Sequence, residues 1–254
     1  MTDTEKQIFL ILGLAGSGKT TFSSRLYTWL SSKNLEIDKS TGLNKNIFSV
    51  NLDPAVYTTK SPLNFDLRDL INYEDVMRDY NLGPNGAILA SLNKFCANIE
   101  RFTDEIKDQK YLIIDTPGQI ESFTISISGD IIVKILKSLG YKLNILFVMD
   151  AKELENPSVF MSNMYYAASL KCKFESEITC VINKTDISEG SNFKRWAEDY
   201  SNFIQDLNEN DEDNSSILSS MALYFEDIYK NIGIVKVSSR RGDGKSEFFE
   251  KFNI

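Results

Sequence analysis

The sequence predicts an α/β fold: a doubly wound, mostly parallel sheet of about six strands with helical insertions. Two observations predict it. Six short apolar runs, IFLIL (8–12), IFSVNL (47–52), YLIID (111–115), NILFVMD (144–150), ITCVI (178–182) and IVKVS (234–238), recur along the 254 residues. They are continuously apolar and β-branched rather than alternating, as strands are when helices cover both faces of a sheet. The segments between them are long enough for the helical crossovers that parallel strands need.

Composition narrows what such a fold can do. Hydrophobic residues make up 42% and charged residues 25%, ordinary values for a soluble globular chain, and 254 residues are read as a single domain over 1–254. The net charge of −8 argues against a nucleic-acid surface, which needs clustered Lys and Arg. There is no His, which removes Ser-His and Cys-His nucleophile pairs and imidazole zinc sites. Cys96, Cys172 and Cys180 are widely spaced, the pattern expected of buried reduced thiols in a cytosolic or nuclear compartment. No signal-peptide pattern and no membrane-spanning apolar run is expected to place the chain at a membrane.

The first run leads into Gly13-Leu14-Ala15-Gly16-Ser17-Gly18-Lys19-Thr20, which fits GxxxxGK[ST] between a strand and a helix, TTFSSRLYTWL (20–30). Glycines let successive backbone N–H groups converge on phosphate oxygens, and the helix N-terminus adds a favourable dipole. Lys19 is expected at the β- and γ-phosphates and the Thr20 hydroxyl on Mg2+, with Thr21 beside it among the nucleotide-binding residues. These features define a P-loop NTPase fold. An ordinary Gly-rich turn is the minority reading.

The second run closes on Asp53 in NLDPA, at the sheet edge that faces ligands in open α/β folds. It is a candidate for the metal shell or for activating water, against a structural Asp-Pro turn. A long insertion follows at about 54–110. In it Asp66 and Arg68 read either as a switch segment or as an ion pair at a helix start. Gly83-Pro84-Asn85-Gly86 has tight-turn chemistry before a long helix expected from about Gly86 to Lys107. That loop either only turns the chain or sets a backbone and an amide against a ligand.

The third run ends in Asp115-Thr116-Pro117-Gly118-Gln119, which resembles the DxxG switch of GTPases. Asp115 is expected in the Mg2+ shell, the Gly118 N–H at the γ-phosphate and Gln119 on the attacking water. Glu121 either assists that water or is solvated. The fifth run ends in Asn183-Lys184-Thr185-Asp186, which resembles NKxD. A carboxylate at Asp186 can accept from both the ring N–H and the exocyclic amine of guanine, and adenine has no such donor pair. Asn183 is expected to tie the loop back and the Lys184 stem to cover the base. A second insertion, about 187–232, includes the acidic run DLNENDEDNSS (206–216), read as a solvated loop. In VSSRRGDG (237–244), Ser238 or Ser239 is a candidate donor of a backbone N–H to the guanine oxygen.

GLAGSGKTT, NLDPA, the GPN tripeptide before a helix, DTPGQIE, FMSNM and NKTD together resemble the GPN-loop GTPases, over nearly the whole chain from residue 8 onward. GLAGSGKTTF, NLDPAV and VMDA…NPxxFMSNM look most like a eukaryotic branch associated with assembly and nuclear import of RNA polymerase II. The resemblance implies binding and hydrolysis of GTP to GDP with Mg2+. It also implies a homodimer, or a heterodimer with a paralogous GPN-loop GTPase, in which Gly83, Pro84 and Asn85 reach the partner's phosphates. RNA polymerase II subunits and a cytoplasmic protein that shuttles to the nucleus follow from the same resemblance. Members of that branch carry a long polar C-terminal extension, whereas this sequence ends at KSEFFEKFNI. The competing functions are a nucleotide-locked scaffold or chaperone cofactor with negligible turnover, and a P-loop ATPase or kinase.

Overall fold

The computed structural model describes residues 5–33, 36–106, 109–188, 192, 195–196, 200–210 and 231–254. In chain order it forms β1 (Gln7–Gly13), α1 (Lys19–Lys33), β2 (Ile47–Asn51), β3 (Phe65–Asp66), α2 (Leu67–Leu70), α3 (Tyr73–Asp79), α4 (Pro84–Ala97) and α5 (Ile99–Glu105). Next come β4 (Tyr111–Asp115), α6 (Ile120–Thr124), α7 (Ile127–Ser138), β5 (Lys142–Asp150) and α8 (Pro157–Phe174). The last described elements are β6 (Ile178–Asn183), α9 (Tyr200–Asn210), β7 (Gly233–Lys236) and α10 (Lys245–Lys251). Among the described residues no helix is long and apolar enough to cross a membrane.

The α/β expectation holds, with one strand more than expected. The sheet has seven strands in the order β3-β2-β4-β1-β5-β6-β7, and the β1/β4, β2/β4, β2/β3 and β6/β7 ladders are parallel. The extra strand, β3, is two residues long, too short to leave an apolar run in the sequence. Every residue of β1, β2, β4 and β6 is buried, which is what the unbroken apolar runs imply.

Register decides which side chains meet. Asp115 pairs with Ile11 across β1/β4 and with Asn51 across β2/β4. Parallel neighbours lie about 4.8 Å apart, so the segments leaving β1, β2 and β4 start side by side at one sheet edge. The phosphate loop, Asp53 and the Asp115 switch segment are therefore neighbours, although up to about a hundred residues separate them in sequence.

The chain divides into two compact units, Met1–Leu146 and Phe147–Ile254. In the first, Phe65, Phe95 and Phe102 pack with ring centroids 5.1–5.7 Å apart, and Phe48 on β2 meets Phe102 at 6.3 Å. In the second, Trp196 packs between Phe160 of α8, tilted at 5.4 Å, and Phe203 of α9, edge-on at 5.6 Å.

Three expectations need correction. The single helix of 86–107 is two helices broken at Asn98, whose φ −124°, ψ 24° is not helical. The Asn98 side chain donates to the Lys94 carbonyl at 3.0 Å, competing with the helical ladder. In a continuous helix Phe95 and Phe102 would stand about 10 Å apart along the axis, and the break brings their rings to 5.6 Å. Second, residues 206–210 of the acidic run belong to α9, because Phe203 and Leu207, one turn apart, are both buried. Residues 211–216 lie outside the described residues. Third, only Cys180 is a buried thiol; Cys96 is half-buried and Cys172 exposed.

Candidate functional site

In the first unit the phosphate loop leaves β1 at Gly13 and enters α1 at Lys19. Gly16 (φ 82°) and Gly18 (φ 92°) adopt the left-handed conformation that only glycine takes without strain, which sets the loop's curvature. Leu14, Ala15 and Gly16 are partly or fully exposed along its rim, while Ser17 and Lys19 are buried. Lys19 Nζ folds back and donates to the carbonyls of Gly13 (2.8 Å), Leu14 (3.0 Å) and Gly118 (3.2 Å). Thr21 accepts from Lys60 Nζ at 3.3 Å.

Opposite Lys19 stand two carboxylates. Asp53 turns back on its own loop, accepting the Ala55 N–H at 2.9 Å, and reaches across to the Gly118 N–H at 3.0 Å. Burial pushes its carboxyl above the usual range, opposed by those two N–H groups. Asp115 is 4% exposed and burial pushes it up to about 7, with the bonded Thr20 hydroxyl opposing. Burial likewise lowers the Lys19 ammonium, while Asp115, Asp53 and Glu121 act to raise it. Donation to three carbonyls keeps Lys19 the charged partner.

This cluster suits a divalent cation. A buried carboxylate, Asp115, and a partly exposed one, Asp53, face one ammonium, and Asp115 Oδ1 is buried without a hydrogen-bond partner. Together with the Thr20 hydroxyl, this is the hard-oxygen donor set that Mg2+ prefers.

Arg68 and Asp66 form the ion pair at a helix start. The Asp66 carboxylate caps α2 through the Arg68 N–H and accepts the guanidinium at 2.5–3.1 Å. Arg68 also donates to the Val56 and Tyr57 carbonyls, and Asn51 Nδ2 bridges Asp66 to the Asp53 carbonyl. Burial works against Asp66, yet bonds from Arg68 and Asn51 hold it below the usual carboxylate range.

Gln119 and Glu121 are exposed at the start of α6, just past Gly118. Glu121 still contributes to the field on Lys19. Gly83, Pro84 and Asn85 form the exposed N-terminal turn of α4, with Pro84 at the helix start, where its missing N–H costs nothing. Tyr73 Oη donates to the Pro84 carbonyl at 3.0 Å and tethers the turn. No hydrogen bond among the described residues joins Asn85 to the Lys19–Asp53–Asp115 cluster.

In the second unit Asn183 ends β6, and its Oδ1 accepts both the N–H (3.1 Å) and the hydroxyl (2.8 Å) of Ser239. The Ser238 hydroxyl donates to Asp186 Oδ1 at 2.7 Å and holds that carboxyl below the usual range. The Ser238 N–H is bonded to the Asp243 carbonyl at 3.1 Å. Both serine N–H groups thus have internal acceptors, so the expected direct donation from Ser238 or Ser239 to a base requires an exchange of partners. Lys184 has φ 65°, a left-handed conformation costing roughly 1–2 kcal/mol for a residue with a Cβ. Its Nζ meets Asp150 Oδ2 at 2.6 Å. Asp150 and the Ser238 hydroxyl were not singled out by sequence reasoning; the position of Asp150 at the carboxyl end of an apolar run was the available signal.

A family described as "conserved hypothetical ATP binding protein" matches residues 11–253. GPN-loop GTPase 1 of Schizosaccharomyces pombe is 37% identical to this chain over 265 residues, covering 98% of this chain and 69% of that protein. The Saccharomyces cerevisiae protein of the same name is 38% identical over 95% of this chain, which spans 63% of that relative. GPN-loop GTPase 3 of Kluyveromyces lactis is 32% identical over 76% of this chain. A GTPase from Pyrococcus abyssi, solved in its apo form, superposes with a TM-score of 0.73 over 97% of this chain and 96% of its own. At 23% identity that likeness speaks to the fold.

Proposed function

The chain belongs to the GPN-loop GTPase family, and from that premise we propose that it binds GTP with Mg2+ and hydrolyses it to GDP and phosphate. The observation that carries the choice of base is Asp186, an ionised carboxylate fixed by Ser238 at the end of β6. Its two oxygens match the two donors of guanine and repel the acceptor edge of adenine. This favours guanine over the adenine nucleotide that the family description mentions. The first unit carries the triphosphate chemistry and the second the guanine chemistry.

Lys19 exchanges its carbonyl partners for the β- and γ-phosphates, losing three neutral acceptors and gaining charged ones. The N–H groups of residues 14–20 and the dipole of α1 hold the remaining phosphate oxygens. Thr20 and Asp115, with Asp53 beside them, hold the magnesium ion, which when bound neutralises charge on the phosphates. The Gly118 N–H moves from Asp53 to the γ-phosphate. Gln119 then orients water for in-line attack, with Asp53 or Glu121 accepting its proton. Among the described residues no arginine finger is identified, and Asn85 of a second subunit supplies a donor to the developing charge.

Titration calorimetry with GTP and ATP tests the reading of the base. Binding of GTP well above ATP is expected, with a loss of a hundredfold or more for GTP in Asp186→Ala. A preference for ATP, or unchanged GTP affinity in the variant, overturns it. Gln119→Leu should keep GTP affinity and lose most turnover; if turnover were already negligible in the parent, the scaffold function would stand instead.

Dimerisation, passage between cytoplasm and nucleus, and action on RNA polymerase II subunits are part of the same proposal. They are supported by the resemblance of VMDA and FMSNM to one branch of the family. Co-purification of polymerase subunits with the Gln119→Leu protein, absent with Lys19→Ala, is the expected outcome.

A further inference from the structure

Three polar side chains of the NKTD loop are each held by a partner from another strand end. Asn183 is held by Ser239 and Asp186 by Ser238. The third, Lys184, is held by Asp150, the last residue of β5. The Asp150 side chain is 13% exposed, and the N–O distance is 2.6 Å. Its other oxygen accepts the Lys152 N–H at 3.0 Å, which fixes the carboxylate against its own turn. The Ala151 N–H donates to the Asn183 carbonyl at 2.9 Å, so the turn after β5 is stitched to the loop it serves.

We propose that Asp150 is a positioning residue for guanine specificity, acting through Lys184. The proposal rests on the guanine reading above. A lysine stem covers a base only while its ammonium is anchored; an unanchored ammonium seeks water and carries the four-carbon stem with it. Asp150 supplies the anchor while itself only slightly exposed, and its fixed geometry orders the stem before any base arrives. That lowers the ordering cost of binding. A direct contact between Asp150 and the nucleotide is the weaker alternative, because each carboxylate oxygen already holds a donor.

The test is calorimetry of GDP and of inorganic tripolyphosphate on the full chain, for the parent, Asp150→Asn, Lys184→Met and the double variant. Asp150→Asn keeps the shape and an acceptor for the Lys152 N–H. It should weaken GDP about tenfold and leave tripolyphosphate unchanged. In the Lys184→Met background the same substitution should cost less than twofold, and Asp150→Glu should recover part of the loss. Unchanged GDP affinity overturns the proposal. So does an equal loss in the Lys184→Met background, and so does a parallel loss of tripolyphosphate, which marks a merely structural role. Asp186→Ala is measured alongside. If it leaves GDP binding intact, the guanine reading falls and this proposal with it; if it weakens GDP while Asp150→Asn does not, only the positioning role falls.

Discussion

The Gly118 N–H donates to Asp53 Oδ2 at 3.0 Å, and the Gly118 carbonyl accepts Lys19 Nζ at 3.2 Å. One residue thus has its donor held by an anion and its acceptor held by a cation. The anion occupies the N–H that a γ-phosphate would need. Asp53 therefore competes with the γ-phosphate, whereas a diphosphate leaves the bond intact. With Mg2+ chelated by EDTA, Asp53→Ala is predicted to raise the ratio of GTP to GDP affinity about three- to tenfold, and with Mg2+ present to slow hydrolysis. Fluorescent-nucleotide titrations read the ratio, and an unchanged value would refute the competition.

Asp115 gives a pH dependence of definite sign. Its folded pKa, about 7, lies above the ordinary 3.8. Between those values the native carboxyl holds a proton that the unfolded chain has released. In nucleotide-free protein with EDTA, its contribution is thus fully present below about pH 4 and is lost as pH rises through 7. The shift sets a ceiling of about 4 kcal/mol. Urea unfolding at pH 5 and pH 8 should show a larger fall for the parent than for Asp115→Asn. Equal falls would show that Asp115 titrates normally.

Asn85 is predicted to act on a second subunit's nucleotide. Asn85→Ala should fold and bind GTP but lose at least tenfold in turnover. Mixed with Lys19→Ala, it should recover turnover, since one hybrid site combines an intact phosphate loop with an intact Asn85. A mixture no more active than its parts would place Asn85 in its own subunit's site.

The left-handed Lys184 separates stability from binding. Lys184→Gly relieves backbone strain, against a larger loss of backbone freedom on folding. Its melting temperature should stay within about 3 °C of the parent, roughly 1 kcal/mol at this chain length. GTP affinity should nevertheless fall about tenfold. A variant that binds normally would show that the stem does not cover the base.

What was legible in the sequence follows from the range of the forces involved. The strands over 8–12, 47–52, 111–115 and 178–182 could be read because burial on both faces forces unbroken apolar runs. The phosphate loop could be read because its geometry demands glycine at Gly16 and Gly18. The break at Asn98 was hidden, because a side chain competing for one carbonyl leaves helical periodicity intact. The pairings of Ser238 with Asp186 and of Asp150 with Lys184 were hidden too. They span 52 and 34 residues and depend on which strand ends adjoin. The engagement of the Ser239 N–H by Asn183 likewise belongs to tertiary structure.

The ring cluster of Phe48, Phe65, Phe95 and Phe102 gives the GPN turn a fulcrum. Asn85 and Phe95 are ten residues apart on one helix, a rigid arm of about 15 Å, clamped at the ring end and tethered near the tip by Tyr73. A tilt of about four degrees at the clamp sweeps Asn85 through about 1 Å, the difference between a made and a broken hydrogen bond. Because Phe48 sits on β2, five residues before Asp53, the arm and the γ-phosphate's competitor share one mounting.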